Sequence, residues 1–507
     1  MKSSAFRGCG LLRVALAIAV CGSSAVARPA PTISLHTSGG DPLIGRLQGP
    51  ASAPFAVQFD ANAFFAARLG VSPIAITPDV NWVASIPGSP AVWINPTASG
   101  SSALYAFRFT VPALPTGPAP SAILTLRYAV DNQLGGGPNV GVYLNEQPIP
   151  CPAPAGGFNA ITTHRCNVLP LLVAGDNILY INQTNTGGPS GLLLDAKLQL
   201  FSSVIEVPGD VATIQEAHDL AITGQDVVVT AAELPPTPFT WSKRVNLRGR
   251  DPGGVHRIRY TNLTVPQFRE GSTLAEVSDV VFALDANPPA GTFGVFVTGV
   301  SPITFNRVQF LNQQPNTAAT LIIGFGTVQL RNCVFVSAPG VISPVLMNGE
   351  GATLSIDSCT FVGGERAVGV GELGMNINIR NSILHVPGAG SPIPNPQFHA
   401  ITVQNSLITN GFPGPGNINA DPRFISGTFI PSKTSPCIDA GSNAAAPSGP
   451  DFTGSPRINR TIAGVPTIDM GAVEATGALC AGDTNGDGQV DGADLSVLLS
   501  RFGQSCQ

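Results

Sequence analysis

The densest set of ligand-type side chains lies near the C-terminus. Asp483, Asn485, Asp487, Gln489, Asp491 and Asp494 fall at positions 1, 3, 5, 7, 9 and 12 of one loop, with Gly488 at position 6. Ca2+ takes about six to eight oxygen ligands held by a sharply turned loop. Here the carboxylates and the carboxamide supply side-chain oxygens, Gln489 supplies a main-chain carbonyl, and Gly488 permits the turn. Ca2+ is therefore the expected cofactor. The alternative is an Asp/Gly-rich turn without an ion. Position 12 is Asp rather than the bidentate Glu of an EF-hand. Leu495, Val497, Leu498 and Leu499 follow at helical spacing, so a short helix should close the loop.

The second place for chemistry is a five-residue phrase that recurs over residues 278–410. It reads Ser278-Asp-Val-Val-Phe282, Asn306-Arg-Val-Gln-Phe310, Arg331-Asn-Cys-Val-Phe335, Asp357-Ser-Cys-Thr-Phe361, Arg380-Asn-Ser-Ile-Leu384 and Gln404-Asn-Ser-Leu-Ile408. The second positions step by 28, 25, 26, 23 and 24 residues. Such a period is the mark of a solenoid, and β-formers in the phrase imply one strand per coil. First positions then stack about 4.8 Å apart. Arg331, Asp357 and Arg380 become an Arg–Asp–Arg ladder and the weak candidates for catalysis. Such a ladder suits a carboxylated sugar, since Arg grips carboxylates. The alternative is a structural salt ladder at a turn, and that reading is preferred. Asn332, Asn381 and Asn405 read as an asparagine ladder that satisfies the turn. Asp279, Asp285, Glu365 and Arg366 are scattered near these coils. His218 is expected on the surface of a short helix. His385 and His399 are weak acid/base candidates near coil ends.

The elements around these residues are short and β-rich. Of 507 residues 11% are charged, while 57 are Gly and 46 Pro, too many turns for a helical protein. A net charge of -5 and the lack of a basic cluster exclude nucleic acid as a partner. Residues 1–27 have the form of a signal peptide: Lys2 and Arg7, then a short apolar run, then Ala25-Val-Ala27. Cys21 as a lipid anchor is the weaker option. No later run is long and apolar enough for a transmembrane span. Export allows disulfides, with Cys151–Cys166 and Cys480–Cys506 as short-loop pairs. Cys333 and Cys359 share a column and are expected as buried thiols, leaving Cys437 over. Residues 28–203 read as a β-sandwich of short strands separated by Gly, Pro and Asn turns. Trp82, Trp93 and Tyr105 there are either sugar-stacking platforms or core, and core is preferred.

Several stretches resemble known families. Val130-Asp-Asn132, Val142-Tyr-Leu-Asn145, Gly175-Asp-Asn177 and Asn185-Thr-Gly-Gly188 resemble galactose-binding-like jelly-roll domains of bacterial surface proteins. Ala212-Thr-Ile-Gln-Glu-Ala217, Gly224-Gln-Asp-Val-Val-Val-Thr230 and Val245-Asn-Leu-Arg-Gly249 resemble the N-terminal cap of pectin-lyase-like right-handed β-helices. Asp421-Pro-Arg-Phe424, Ser435-Pro-Cys-Ile-Asp-Ala-Gly441, Gly454-Ser-Pro-Arg457 and Asp469-Met-Gly-Ala-Val-Glu474 resemble the segment after β-helices in choice-of-anchor-type proteins. The Ca2+ loop with its helix resembles one type I dockerin repeat, where dockerins carry two.

The expected fold is all-β. An N-terminal β-sandwich (28–203, jelly-roll-like) precedes a right-handed parallel β-helix with its closing segment (204–475) and a small C-terminal Ca2+-loop/helix module (478–507). The resemblances imply a secreted or cell-surface protein. It would bind polysaccharide or a cell-envelope component, with a cohesin-like partner for the tail. The alternatives are a polysaccharide lyase or glycoside hydrolase acting on an acidic polysaccharide, which the dockerin likeness favours, and a structural adhesin or spacer. The sequence lacks the Asn-Thr-Asp, Asp-Asp and Gly-His-Gly phrases of β-helix hydrolases, which weighs against hydrolysis.

Overall fold

The computed structural model describes residues 30–38, 46–47, 55, 73–96, 102–136, 139–252, 255–261, 263–271, 275–284, 294–299, 302–315, 317, 319–386, 391–458, 466–475 and 492–500. The expected signal peptide, the Ca2+ loop through Asp491, the Asp494 side chain, Cys480, Cys506 and Asp285 lie outside the described residues.

Two antiparallel six-stranded sheets form the N-terminal unit. Ser121–Asp131 and Gly191–Phe201 are the long strands of one; Ala103–Val111 and Gly175–Thr184 are those of the other. Leu104, Phe107, Leu126, Tyr180 and Leu194 fill the space between them. Cys151 and Cys166 are joined by a disulfide. The strand Gly191–Phe201 runs on into Val204–Val207, the first strand of the next unit. Ile123 and Phe201 join that unit's core, and Gln225 Nε2 donates back to the Ala119 carbonyl at 3.0 Å and Ser121 Oγ at 2.9 Å.

The second unit is a right-handed parallel β-helix of three sheets with nine, eight and six strands. Helix α1 (Ile214–Leu220) covers its first coil. Thr213 caps α1 by accepting from the Glu216 N–H at 3.1 Å. Ile214, Ala217, His218 and Leu220 form the buried face. The expectation for His218 is corrected here: it is 3% exposed, not on the surface. It sits four residues after Ile214, on the inner stripe of the helix. Its ring packs 4.8 Å from that of Trp241, and Nε2 accepts from the Ser242 N–H at 3.0 Å. Burial, then the Lys243 cation, lowers its pKa.

The five-residue phrase marks one corner of each coil. Its first residue ends a strand of the nine-stranded sheet. Its second makes the bend, and its third to fifth lead into the eight-stranded sheet. Every second residue is left-handed: Asp279, Arg307, Asn332, Ser358, Asn381 and Asn405 have φ of 57, 54, 52, 53, 48 and 47°. Asn and Asp tolerate this conformation better than other non-glycine residues, so the column is chosen first by backbone geometry. Arg307 is tethered there by two 2.7 Å hydrogen bonds to Asp279.

The third residue is fully buried in all six coils. Its N–H donates to the side chain one coil on: Cys333 N to Cys359 Sγ (3.4 Å), Cys359 N to Ser382 Oγ (3.1 Å) and Ser382 N to Ser406 Oγ (3.1 Å). Ser406 N passes the chain to Asn417 Oδ1 at 3.1 Å. From Cys333 onward the column carries small acceptor-bearing side chains, while the first two coils place Val280 and Val308 there. Cys333, Cys359 and Cys437 are free thiols. The fifth residue fills the centre: Phe310, Phe335 and Phe361 stack at 4.6 and 4.4 Å with interplanar angles of 8 and 4°, and Leu384 and Ile408 continue the column.

The closing segment does not add coils. It lies along the outer side of the eight-stranded sheet. Phe452, Ala472 and Val473 cover Val334, while Cys437 and Met470 cover Ile383 and Leu407. These covered residues are fourth positions of the phrase, which explains their apolar character. Helix α2 (Gly492–Ser500) is the last described element. Among the described residues no helix is long and apolar enough to cross a membrane.

Phe335→Ala should lower unfolding stability by about 3–5 kcal/mol in chemical denaturation. Phe335→Leu should cost less than about 1.5 kcal/mol, because Leu already occupies this column at Leu384. Equal losses for the two would contradict the stacking account.

Candidate functional site

The side chains that sequence pattern singles out meet on the outer face of the nine-stranded sheet. In strands Thr327–Arg331, Thr353–Asp357, Asn376–Arg380 and Ala400–Gln404 alternate residues point outward. Register sets three columns. Thr327, Thr353, Asn376 and Ala400 form the first; Gln329, Ser355, Asn378 and Thr402 the second; Arg331, Asp357, Arg380 and Gln404 the third.

Arg331, Asp357 and Arg380 therefore occupy successive rungs, but only part of a ladder forms. Arg380 Nε donates to Asp357 Oδ1 at 2.7 Å. Arg331 Nη2 instead donates to Gln329 Oε1, in its own strand, at 2.8 Å. The hydrogen bond to Asp357 raises the Arg380 pKa further. Asp357 is 7% exposed and flanked on both rungs by arginine, not by a second carboxylate. Glycoside hydrolysis of the usual kind needs a carboxyl pair about 5–9.5 Å apart. The other acids on this face are similarly engaged: Asp226 accepts from Asn246 and Arg248, and Glu276 from Asn306.

The asparagine column turns toward the closing segment. Asn332 Nδ2 donates to the Pro450 carbonyl at 3.2 Å. Asn381 exchanges two hydrogen bonds with Ser442, at 3.0 and 2.8 Å. The remaining histidines are structural in their contacts. His399 Nδ1 accepts from the Met375 N–H at 3.4 Å, and His385 lies against Phe424, with burial lowering its pKa. In the sandwich, Trp82 and Trp93 pack at 4.3 Å and are buried. Tyr105 is fully buried and donates to Gln183 Oε1 at 2.8 Å. These three rings are core.

Two groupings escape sequence pattern. The outward face of the first sandwich sheet meets α1 in a polar cavity of about 330 Å³. It is lined by Thr125, Arg127, Arg165, Asp195, Lys197 and Glu216, among others. The Arg127–Asp195 pair spans it at 3.4 Å. The other grouping is a buried charge network in the closing segment. Asp451 Oδ1 accepts from Thr453 N and Ser455 N, and its Oδ2 from Glu474 N, each at 2.8 Å. Asp469 accepts from Asp439 N and Ala475 N at 2.7 Å. Arg457 Nη2 donates to the Gly471 carbonyl at 3.0 Å, and its Nη1 lies 3.8 Å from Glu474 Oε2. Burial, then the neighbouring Asp469 charge, pushes Glu474 up to about 8; burial pushes Asp469 up to about 6. A raised carboxyl can mark a general acid. Here Glu474 and Asp469 are 1% and 0% exposed, so the network holds the segment together and offers no face to a substrate.

No protein-family model matches the chain, and no curated protein matches it. Among solved structures it is similar to the catalytic domain of a GH87 alpha-1,3-glucanase in complex with nigerose. Identity is 10% and TM-score 0.22, over 63% of this chain and 78% of that one. A variant of such a domain in complex with tetrasaccharides gives 12% and 0.22, over 78% and 85%. The Agl-KA catalytic domain gives 12% and 0.18, over 75% and 88%. Likeness at this level assigns no activity.

The raised Glu474 and Asp469 pKa values give a signed expectation. The fold favours their neutral forms. Their contribution is fully present below the unfolded value of about 4 and is lost as pH rises toward 8. Thermal midpoints at pH 5, 6.5 and 8 should fall for the native chain. Glu474→Gln should flatten that decline; an unchanged slope would contradict it.

Proposed function

We propose that the chain is an exported extracellular or cell-surface protein that binds polysaccharide or matrix without cleaving it. A calcium-dependent, dockerin-like tail holds it in place. The observation that carries this reading is the open face of the nine-stranded sheet. Its three in-register columns of Thr, Ser, Asn, Gln, Arg and Asp present hydrogen-bonding groups at a fixed rise along the axis. A repeating polymer is the ligand such a repeating surface suits. Asp357 already spends its carboxylate on Arg380, which supports binding over bond cleavage.

The catalytic alternative, a lyase or hydrolase of an acidic polysaccharide, rests on the same Arg331, Asp357 and Arg380. It is tested by incubating the mature chain with plant and algal polysaccharides and following reducing ends and unsaturated-product absorbance. No turnover is expected. Turnover lost in Asp357→Ala or Arg331→Ala would replace the binding reading with the enzymatic one.

Titration of the full mature chain with Ca2+ should show saturable uptake. Asp483→Ala combined with Asp487→Ala should remove at least one bound ion per chain. Equal uptake by both proteins would remove Ca2+ from the loop of Asp483, Asn485, Asp487, Gln489, Asp491 and Asp494.

A further inference from the structure

Two of the most exposed aromatic rings flank the polar face just described. Phe325 is 56% exposed and Phe398 52%. Each stands two residues before a strand of the nine-stranded sheet, Thr327–Arg331 and Ala400–Gln404. The same position in the two intervening coils is Gly351, before Thr353–Asp357, and Gly374, before Asn376–Arg380. One edge of the face therefore reads Phe, Gly, Gly, Phe along the axis. With rungs about 4.8 Å apart, the two phenylalanines stand roughly 14 Å from each other. Both glycines have positive φ, 71 and 74°, and a Cβ built on either meets nothing within 4 Å. The Phe325 ring leans toward the next coil: a Cβ at Gly349 would come within 2.9 Å of its Cδ1. The edge is thus a trough two coils wide with an aromatic residue at each end.

Its floor is uncharged. Thr353 and Asn376 lie beside the glycines, with Ser355 and Asn378 one column in. Thr353, Ser355 and Asn376 make no side-chain hydrogen bond among the described residues, so their donors and acceptors are available. Within the three columns charge enters only in the third, at Arg331, Asp357 and Arg380, while Glu350 and Glu372 are exposed in the turns that carry the glycines. An aromatic face packs against an apolar C–H face, and hydroxyl and amide groups pair with hydroxyls. A sugar ring presents both kinds of surface.

We infer that the trough between Phe325 and Phe398 is a binding site for a neutral, linear glycan lying along the β-helix axis. Its rings stack at the two phenylalanines, and its hydroxyls meet Thr353, Ser355 and Asn376. The inference rests on the polysaccharide-binding reading and gives that reading a place and a ligand charge.

The test is native electrophoresis of the mature chain through gels cast with soluble β-glucan, xylan, pullulan or pectin. The native chain should be retarded by at least one neutral polymer, and 0.5 M salt should not abolish this. Phe325→Ala and Phe398→Ala should each weaken retardation roughly three- to tenfold, and the double variant more. Phe325→Trp should keep it. Leu263→Ala, at a residue 85% exposed elsewhere, should match the native chain. Circular dichroism of each variant checks folding. Retardation by a neutral polymer that survives the double change overturns the trough but leaves polysaccharide binding standing. Retardation by pectin alone, lost in salt, overturns the neutral-glycan assignment. No retardation by any polymer overturns both.

Discussion

One left-handed non-glycine residue at the same corner of each coil governs the β-helix. The bend at Asp279, Arg307, Asn332, Ser358, Asn381 and Asn405 turns the chain from the nine-stranded to the eight-stranded sheet. Such a conformation costs non-glycine residues about 1–2 kcal/mol each. It is repaid by what it positions. The residue after it drops into the interior and links its N–H to the next coil. Two residues further, the Phe, Leu or Ile column fills the centre. With register locked there, the outward columns are locked as well. The polar face owes its order to a bend on its border, not to attraction between its own side chains.

Much of this was legible because it is local. The period, the small third position and the large fifth position all follow from one strand per coil. They predicted stacked Phe335 and Phe361 and the buried thiols Cys333 and Cys359. The asparagine column was visible too, but its main cause, a left-handed φ, is a property of the backbone. The Arg331–Asp357–Arg380 stack was legible as a register and not as a set of contacts. Side-chain length lets Arg331 reach Gln329 in its own strand instead of Asp357. His218 was misplaced because a seven-residue helix offers few turns to define its buried stripe, and Trp241 arrives from elsewhere in the chain.

What stayed illegible depends on distant segments. Thr360 Oγ1 accepts from the Ala472 N–H across 112 residues, and Asn381 pairs with Ser442 across 61. No local pattern announces that the fourth position of the phrase is roofed. Nor does spacing reveal that Asp451, Arg457, Asp469 and Glu474 gather in one buried network. The aromatic trough is hidden for a similar reason. Phe325 and Phe398 are 73 residues apart in the chain and become neighbours only when four strand starts are aligned.

The side-mounted closing segment changes the character of the solenoid. In a stack where each coil touches only its neighbours, the last coil can fray and the loss can spread one step at a time. Here one strap touches the coils of Asn332, Thr360, Asn381 and Leu407 together. Peeling the final coil exposes part of the strap, and freeing the strap bares Val334 three coils further back. The coils from Asn332 to Leu407 are thereby joined into one cooperative block.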